Sequence, residues 1–156
     1  MIYQIEAVNK KGHPDQHGKH ILQDIRESGI KGVNKVAYSQ VYQIEGHLNL
    51  REVDLIAREL LIDSVTQTYS LCNPMNPRHS GVTGGHEIEI WYRHGVTDTV
   101  AESVIKAVQD LGMSRHIKVR TGQKYLFETS LSKGAIEQVV KRLIVNTLIQ
   151  EYKKIK

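Results

Sequence analysis

Alternating apolar and polar positions mark the start of each half of the chain. Tyr3–Val8 and His86–Tyr92 alternate as a strand does when one of its faces is buried. A glycine-containing turn follows each strand, and an amphipathic helical pattern follows each turn. Gly29 and Gly112 stand where such a helix would end in a left-handed residue. Each half is therefore predicted to begin as strand, turn and helix.

A second helix in each half carries the clearest periodicity in the chain. Its apolar residues follow the i, i+3, i+4, i+7, i+8 stripe that predicts a helix with one buried face. Asn49 with Glu52 fits a capping box at its start, and Ser132 fits the N-cap of the second copy. The apolar positions are Val53, Ile56, Ala57, Leu60 and Leu61 in the first copy and Ile136, Val139, Val140, Leu143 and Ile144 in the second.

An extended region lies between the two helices of each half, at Val33–Glu45 and at His116–Glu128. We expect a break near Ser39 and Gly122. The break could be a tight turn that joins two strands or a bulge that bends one strand. A short final strand closes each half, at Val65–Ser70 and at Leu148–Tyr152.

The two halves repeat one sequence pattern at an offset of 83 residues. The stretches NKKGHPD (9–15) and YRHGVTD (92–98) place a basic residue, a glycine and an aspartate alike. Pairing 3–69 with 86–152 needs no gap, and 14 of the 67 pairs are identical, where unrelated sequences would give about four. A fixed period of this kind indicates a tandem duplication. The predicted fold class is therefore α+β: two tandem ferredoxin-like repeats of order β-α-β-β-α-β, with two helices of each on one face of an antiparallel sheet.

The stretch LCNPMNPRHSGVTGG, residues 71–85, separates the repeats and contains two of the three prolines. Its composition predicts a linker between a first repeat at 1–70 and a second repeat at 86–156. A lone repeat of this size would bury only a small core. We therefore expect the repeats to pack as a pseudo-dimer about a pseudo-twofold axis, with Tyr42 and Tyr125 near the shared surface.

Composition adds few restrictions. The chain has 156 residues, of which 24% are charged and 40% apolar, as in ordinary globular proteins. Its apolar stretches are far shorter than the roughly 20 residues of a membrane span, and a strand pattern from Tyr3 leaves no room for a signal peptide. Cys72 is the only cysteine, which fits a reducing compartment, so we predict a cytoplasmic protein. The net charge of +4 is dispersed along the chain, and we expect neither a nucleic acid nor a membrane as partner.

Residue types that could carry catalysis or metal binding do not form a recognised set. His13, His17 and His20 have metal-like spacing, but no cysteine or carboxylate completes a set of four ligands, so a surface cluster is favoured over a zinc site. Cys72 has neither a glycine elbow nor an evident base near it in sequence. The chain has no phosphate-binding GxxxxGK[ST] or GxGxxG sequence. We therefore predict no catalytic, metal or cofactor-binding residue.

Six repeated residues are the candidate interface or structural motif. Asp15 and Asp98 stand at the start of a helix, where a carboxylate satisfies free N–H groups. Tyr42 and Tyr125 could stack on bases, but no aromatic-basic RNA-binding run surrounds them, so a core or interface role is favoured. The six residues are Gly12, Asp15, Tyr42, Gly95, Asp98 and Tyr125.

The pattern resembles the PurS family, the small subunit of phosphoribosylformylglycinamidine synthase. K-x-G-x-x-D-x-x-G entering a helix appears as Lys10, Gly12, Asp15 and Gly18, and A-x-x-L-L-x-D-x-V-x-Q appears at 57–67. The second repeat is similar, although Ala101 replaces a glycine of the motif and Asn146 an aspartate. Tandem units of this kind also resemble the N-terminal region of some large single-chain forms of the synthase.

The resemblance implies a non-catalytic part of a glutamine-dependent, ATP-using ligase in de novo purine biosynthesis. It implies partners, a glutaminase and a synthetase subunit, which use glutamine and ATP while this chain bridges them for ammonia delivery and binds no cofactor itself. Self-association is a further expectation. The alternative is a tandem ACT-like regulatory domain, which has the same order of elements and binds amino acids near a glycine-containing turn such as YRHGV (92–96).

Overall fold

The computed structural model describes residues 1–72, 85–113 and 116–154. Residues 73–84, most of the predicted linker, lie outside the described residues. The first half contains β1 (Ile2–Asn9), α1 (Gln16–Glu27), β2 (Val33–Glu45), α2 (Leu50–Ile56), a π-helical segment (Ala57–Leu61) and β3 (Gln67–Cys72). The second half contains β4 (Gly85–Tyr92), α3 (Thr99–Asp110), β5 (Lys118–Thr129), α4 (Lys133–Val139), a π-helical segment (Val140–Ile144) and β6 (Gln150–Lys154).

The elements of the two halves recur at the offset found in the sequence. The first strand, both α-helices and the π-helical segment of each half begin and end 83 residues apart, so that 16–27 corresponds to 99–110. The caps explain this agreement. Asn49 and Glu52 form the predicted capping box, and Ser132 accepts the N–H of Ala135. The final strands begin two residues later than the sequence pattern predicts, at Gln67 and Gln150.

All six strands form one antiparallel sheet with the order β3-β1-β2-β5-β4-β6. The two long strands pair along the centre, and Gln40 lies opposite Gln123, its own counterpart at the 83-residue offset. Pairs on either side of this position are therefore related by exchange of the two halves, as in a twofold interface. The local arrangement is that of a pseudo-dimer within one sheet.

The extended region of each half is a single strand. The β2–β5 ladder shifts register only between Val33 and Lys35, with no shift at Ser39 or Gly122. We expected either two strands joined by a turn or one strand bent by a bulge. The structure shows one strand, without a bulge at Ser39 or Gly122. Each half therefore has the order β-α-β-α-β, and its long strand replaces two strands of the predicted plan. The α+β class and the antiparallel sheet are confirmed.

Two hydrophobic cores lie between the sheet and the helices, and both cores contain residues from both halves. In the first, Tyr42 and Val53 of the first half pack with Val104 of the second. In the second, Ile25 of α1 packs with Phe127 of β5. Residues of α1 therefore share a core with strands of the other half, and residues of α3 do the same in return. Alternation along the strands places the residues of both cores on one face of the sheet.

Candidate functional site

The glycines of the repeated motif occupy equivalent turns after β1 and β4. Gly12 has φ of +89° and Gly95 has φ of +83°, a backbone conformation that other residues adopt at a cost. The turn of the first half is closed by the N–H of His13, which donates to the carbonyl of Lys10 at 3.0 Å. The glycines therefore shape the turn that leads into each first helix.

Asp15 joins the start of α1 to the long strand β2. Its Oδ1 accepts the N–H of Gly18 at 2.8 Å, which is the predicted cap, and its Oδ2 accepts the N–H of Tyr38 at 2.7 Å. Strand β1 reaches only as far as Gln40 on β2, so Tyr38 has no strand partner on that side. The carboxylate takes the place of the missing strand there.

Asp98 makes the equivalent contacts in the second half. It accepts the N–H of Ala101 at 3.0 Å and the N–H of Thr121 at 2.8 Å, and the Thr121 hydroxyl donates to it as well. The halves differ at the residue inside the helix. A Cβ at Gly18 would lie 2.3 Å from the carbonyl oxygen of Val36, whereas Ala101 is accommodated and buried. Gly18 therefore allows α1 to lie closer to β2 than an alanine at that position would permit.

A cleft lies beside each of these turns, and the first is much the larger. The first cleft has a volume of about 610 Å³ and runs from the Asp15 turn across to Lys124. Its counterpart beside Asp98 has a volume of about 160 Å³. The difference has a local cause. Ala37 lines the first cleft, while Arg120 at the equivalent position extends across the second and donates to the carbonyl of Tyr92 at 3.1 Å.

Tyr42 and Tyr125 lie in the two cores, with 5% and 2% of their surfaces exposed. Burial raises the pKa of Tyr42 to about 12 and raises that of Tyr125 further in the same direction. The hydroxyl of Tyr125 lies 2.9 Å from Nε2 of His17, whose ring stacks on Tyr38 at 3.9 Å. The two tyrosines stay protonated and serve the packing of the shared cores.

The sheet face opposite the helices carries a cluster of charged residues that the sequence analysis did not identify. Lys124 Nζ lies 3.0 Å from Glu6 Oε2 and 3.9 Å from Glu87 Oε2, and Ser39 donates its hydroxyl to Glu6 at 2.7 Å. Burial alone would lower the pKa of Lys124, but the surrounding carboxylates, Glu6 first, outweigh it and raise that pKa above its ordinary value. Lys124 therefore carries a firmly held positive charge.

A third carboxylate of this face, Glu89, is the counterpart of Glu6 and is 4% exposed. It accepts the side-chain N–H groups of Gln4 at 2.8 Å and Trp91 at 3.0 Å. The identity of Glu6 and Glu89 in the two repeats is the one sequence signal that could have indicated this cluster. The partners could not be found this way, because each repeat supplies different residue types around its glutamate.

The histidines and the cysteine of the sequence analysis lie apart from these clusters. His13 is at the edge of the first cleft, and His17 contacts the tyrosines described above. Cys72 lies partly exposed at the end of the edge strand β3. Across residues 1–72, 85–113 and 116–154, no three metal-ligating side chains gather at a common point. None of the helices in this part of the chain has the length and apolar character needed to cross a membrane.

The fold and the paired turns define a pseudo-symmetric α+β protein whose two halves share their cores and present clefts of different size at equivalent positions. Residues 86–155 match the model of the PurS family, described as phosphoribosylformylglycinamidine (FGAM) synthase. The second half is therefore similar to the PurS family over residues 86–155. No curated protein matches the chain.

Proposed function

We propose that the chain is a non-catalytic component of FGAM synthase that joins the glutaminase part to the synthetase part for the delivery of ammonia. One observation carries the proposal: residues 86–155 match the PurS family, and the first half has the same elements at the 83-residue offset. Residues 1–70 are then a second PurS-like repeat. The partners use ATP and glutamine, and this chain binds neither.

The packing supports a tandem pair that takes the place of two PurS-like subunits. Each core is built from both halves, so the contact between the repeats is a condition of their folding. A linker in one chain would hold one repeat beside the other at an effective concentration of about millimolar. Fusion therefore secures a pairing that separate subunits would have to reach by collision.

The engaged side chains support a structural role for the motif residues. Both oxygens of Asp15 accept backbone N–H groups, and Tyr42 and Tyr125 are buried and protonated. Lys124 is held by carboxylates. A general acid or base needs a pKa near the working pH, and the pKa values of Tyr42, Tyr125 and Lys124 are all raised away from it.

Reconstitution with the glutaminase and synthetase subunits of the same organism tests the proposal. Titration of the chain should raise the glutamine-dependent rate of FGAM formation and change the ammonia-dependent rate much less, because nitrogen delivery is the assisted step. A flat glutamine-dependent rate would reject the adaptor role.

Assays of the isolated chain complete this test. The pure chain should hydrolyse neither ATP nor glutamine. Glutaminase activity that is lost in the Cys72→Ala variant would show that the chain itself is catalytic.

The first cleft favours a second candidate function, a tandem ACT-like regulatory domain that binds a small molecule. A volume of about 610 Å³ beside the Gly12 turn is within the range of ligand sites, roughly 300–1,000 Å³. Thermal unfolding with free amino acids and nucleotides would test it, since ligand binding stabilises by RT ln(1 + [L]/Kd). A rise in Tm with an amino acid that the Ala37→Arg variant abolishes would favour this candidate; no rise would reject it.

A further inference from the structure

Two large apolar side chains are exposed at equivalent positions of the two repeats. Val65 is 74% exposed and Leu148 is 84% exposed, and the two are 83 residues apart. Leu50, at 63% exposed, has the charged Lys133 as its counterpart. Scattered exposed apolar residues are normal on a protein surface. Random scatter does not explain why an apolar residue is exposed at the same position of both repeats.

Side-chain hydrogen bonds hold the Val65 loop (residues 63–67) in place. The N–H of Val65 donates to Asp63 Oδ1 at 3.0 Å. The N–H of Asp63 donates to Gln67 Oε1 at 3.0 Å. Lys10 Nζ, from the turn after β1, donates to the carbonyl of Ser64 at 2.7 Å. The loop therefore presents Val65 on a fixed backbone.

The Leu148 loop (residues 146–150) repeats the same construction with different residues. The N–H of Leu148 donates to Asn146 Oδ1 at 3.2 Å, and the N–H of Asn146 donates to Gln150 Oε1 at 3.0 Å. Arg93 Nε donates to the carbonyl of Thr147 at 2.9 Å. The geometry and the apolar tip are thus retained where most of the residues have changed.

None of these bonds requires an apolar tip, because none of them uses the side chain of the tip residue, whose backbone N–H alone takes part. A polar side chain would build the loop equally well and would be better hydrated. A loop that is already fixed loses little conformational entropy on binding, so an apolar residue on it is suited to enter an apolar pocket of another molecule. Charge indicates what surrounds that pocket: exposed Lys10 bonds to the first loop and is followed in sequence by exposed Lys11, and exposed Arg93 bonds to the second loop.

We propose that Val65 and Leu148 are docking contacts, each of which enters an apolar socket rimmed by carboxylates on a partner subunit of the synthase. This inference rests on the proposed adaptor function. The loops precede β3 and β6, the opposite edge strands, and antiparallel pairing places them at opposite ends of the sheet. In this proposal one loop contacts the glutaminase and the other contacts the synthetase, and their placement at opposite ends of the sheet would let both subunits bind at once.

Binding of the immobilised full chain to each purified subunit tests the docking role. The Val65→Ser variant should weaken the affinity for one subunit about tenfold and the Leu148→Ser variant should weaken it for the other, because each change removes the apolar surface that would be buried in the contact. Leu50→Ser, which removes an exposed apolar side chain elsewhere, should leave both affinities unchanged. Unchanged Tm values of the variants would show that they fold.

Two further variants separate docking from a general loss of hydrophobic surface. Gln67→Ala releases the loop but keeps Val65, and Lys11→Glu reverses the charge beside it; both should weaken the interaction that Val65→Ser weakens. If the wild-type chain binds and the serine variants bind equally well, the docking role is wrong and the adaptor function stands. If the wild-type chain binds neither subunit, both proposals fail together.

Discussion

Tyr38 donates its backbone N–H to Oδ2 of Asp15 at 2.7 Å, which ties the start of α1 to the long strand of the same repeat. The same bond joins Thr121 to Asp98 at 2.8 Å. A repeated aspartate at a helix start predicts a cap, and the cap is present. The second bond was not predictable from local spacing, because its donor lies 23 residues further along the chain.

The first prediction concerns this double acceptor. Asp15→Asn keeps one oxygen for the cap but turns an NH₂ group toward the N–H of Tyr38, so a buried donor loses its partner. The free energy of unfolding should fall by about 1–3 kcal/mol, measured by urea denaturation. Asp24→Asn, an exposed change in the same helix, is the control and should have little effect. Equal stability of the two variants would show that the Tyr38 bond contributes nothing.

Lys124 is the subject of the second prediction. Its removal in Lys124→Met leaves the carboxylates of Glu6 and Glu87 without their cation on a largely buried face. We expect a loss of about 3 kcal/mol of unfolding free energy. The double variant Lys124→Met/Glu6→Gln should recover part of the loss, because it also removes the charge of Glu6, which lies 3.0 Å from Lys124 in the wild type. A double variant less stable than the single one would contradict this account.

The third prediction is a pH dependence. Partial burial lowers the pKa of His17 below 6.5, against the opposing effect of Asp15, so the folded state favours the neutral ring. The contribution of His17 to stability is therefore complete above about pH 6.5 and falls as the pH drops through the lowered pKa. His17→Val copies Val100, its counterpart in the second repeat. The difference in unfolding free energy between wild type and His17→Val should decrease from pH 7.5 toward about pH 5. A difference that stays constant with pH would contradict a lowered pKa of His17.

Gly122 shows why the extended region was expected to break. A glycine inside a strand pattern often marks a bulge, but here it makes room for a side chain. A Cβ at Gly122 would lie 2.6 Å from the indole ring of Trp91. In the first repeat, Val8 is the counterpart of Trp91 and Ser39 is the counterpart of Gly122. The reason for the glycine is thus a neighbour on another strand, which periodicity along one strand cannot show.

The helices, their caps and the six turn, cap and tyrosine positions could be predicted because they depend on local spacing and recur in both repeats. The shared cores could not be predicted, because no local pattern shows that residues of α1 share a core with strands of the other half. The clefts depend on positions where the repeats differ, among them Ala37 against Arg120. The charged cluster depends on contacts such as that of Glu6 with Lys124 across the sheet centre. These features arise where the repeats have diverged, so a pattern that aligns the repeats does not reveal them.

The central claim is that the two repeats form one folding unit in place of two subunits, and separation of the repeats tests it most directly. Residues 1–75 and 85–156 should each be largely unfolded or self-associated when produced alone, because each core needs residues from both halves. Mixed in equal amounts, they should form a one-to-one complex with the circular dichroism spectrum of the intact chain, measured together with sedimentation equilibrium. Two fragments that fold as stable monomers and do not associate would contradict the claim.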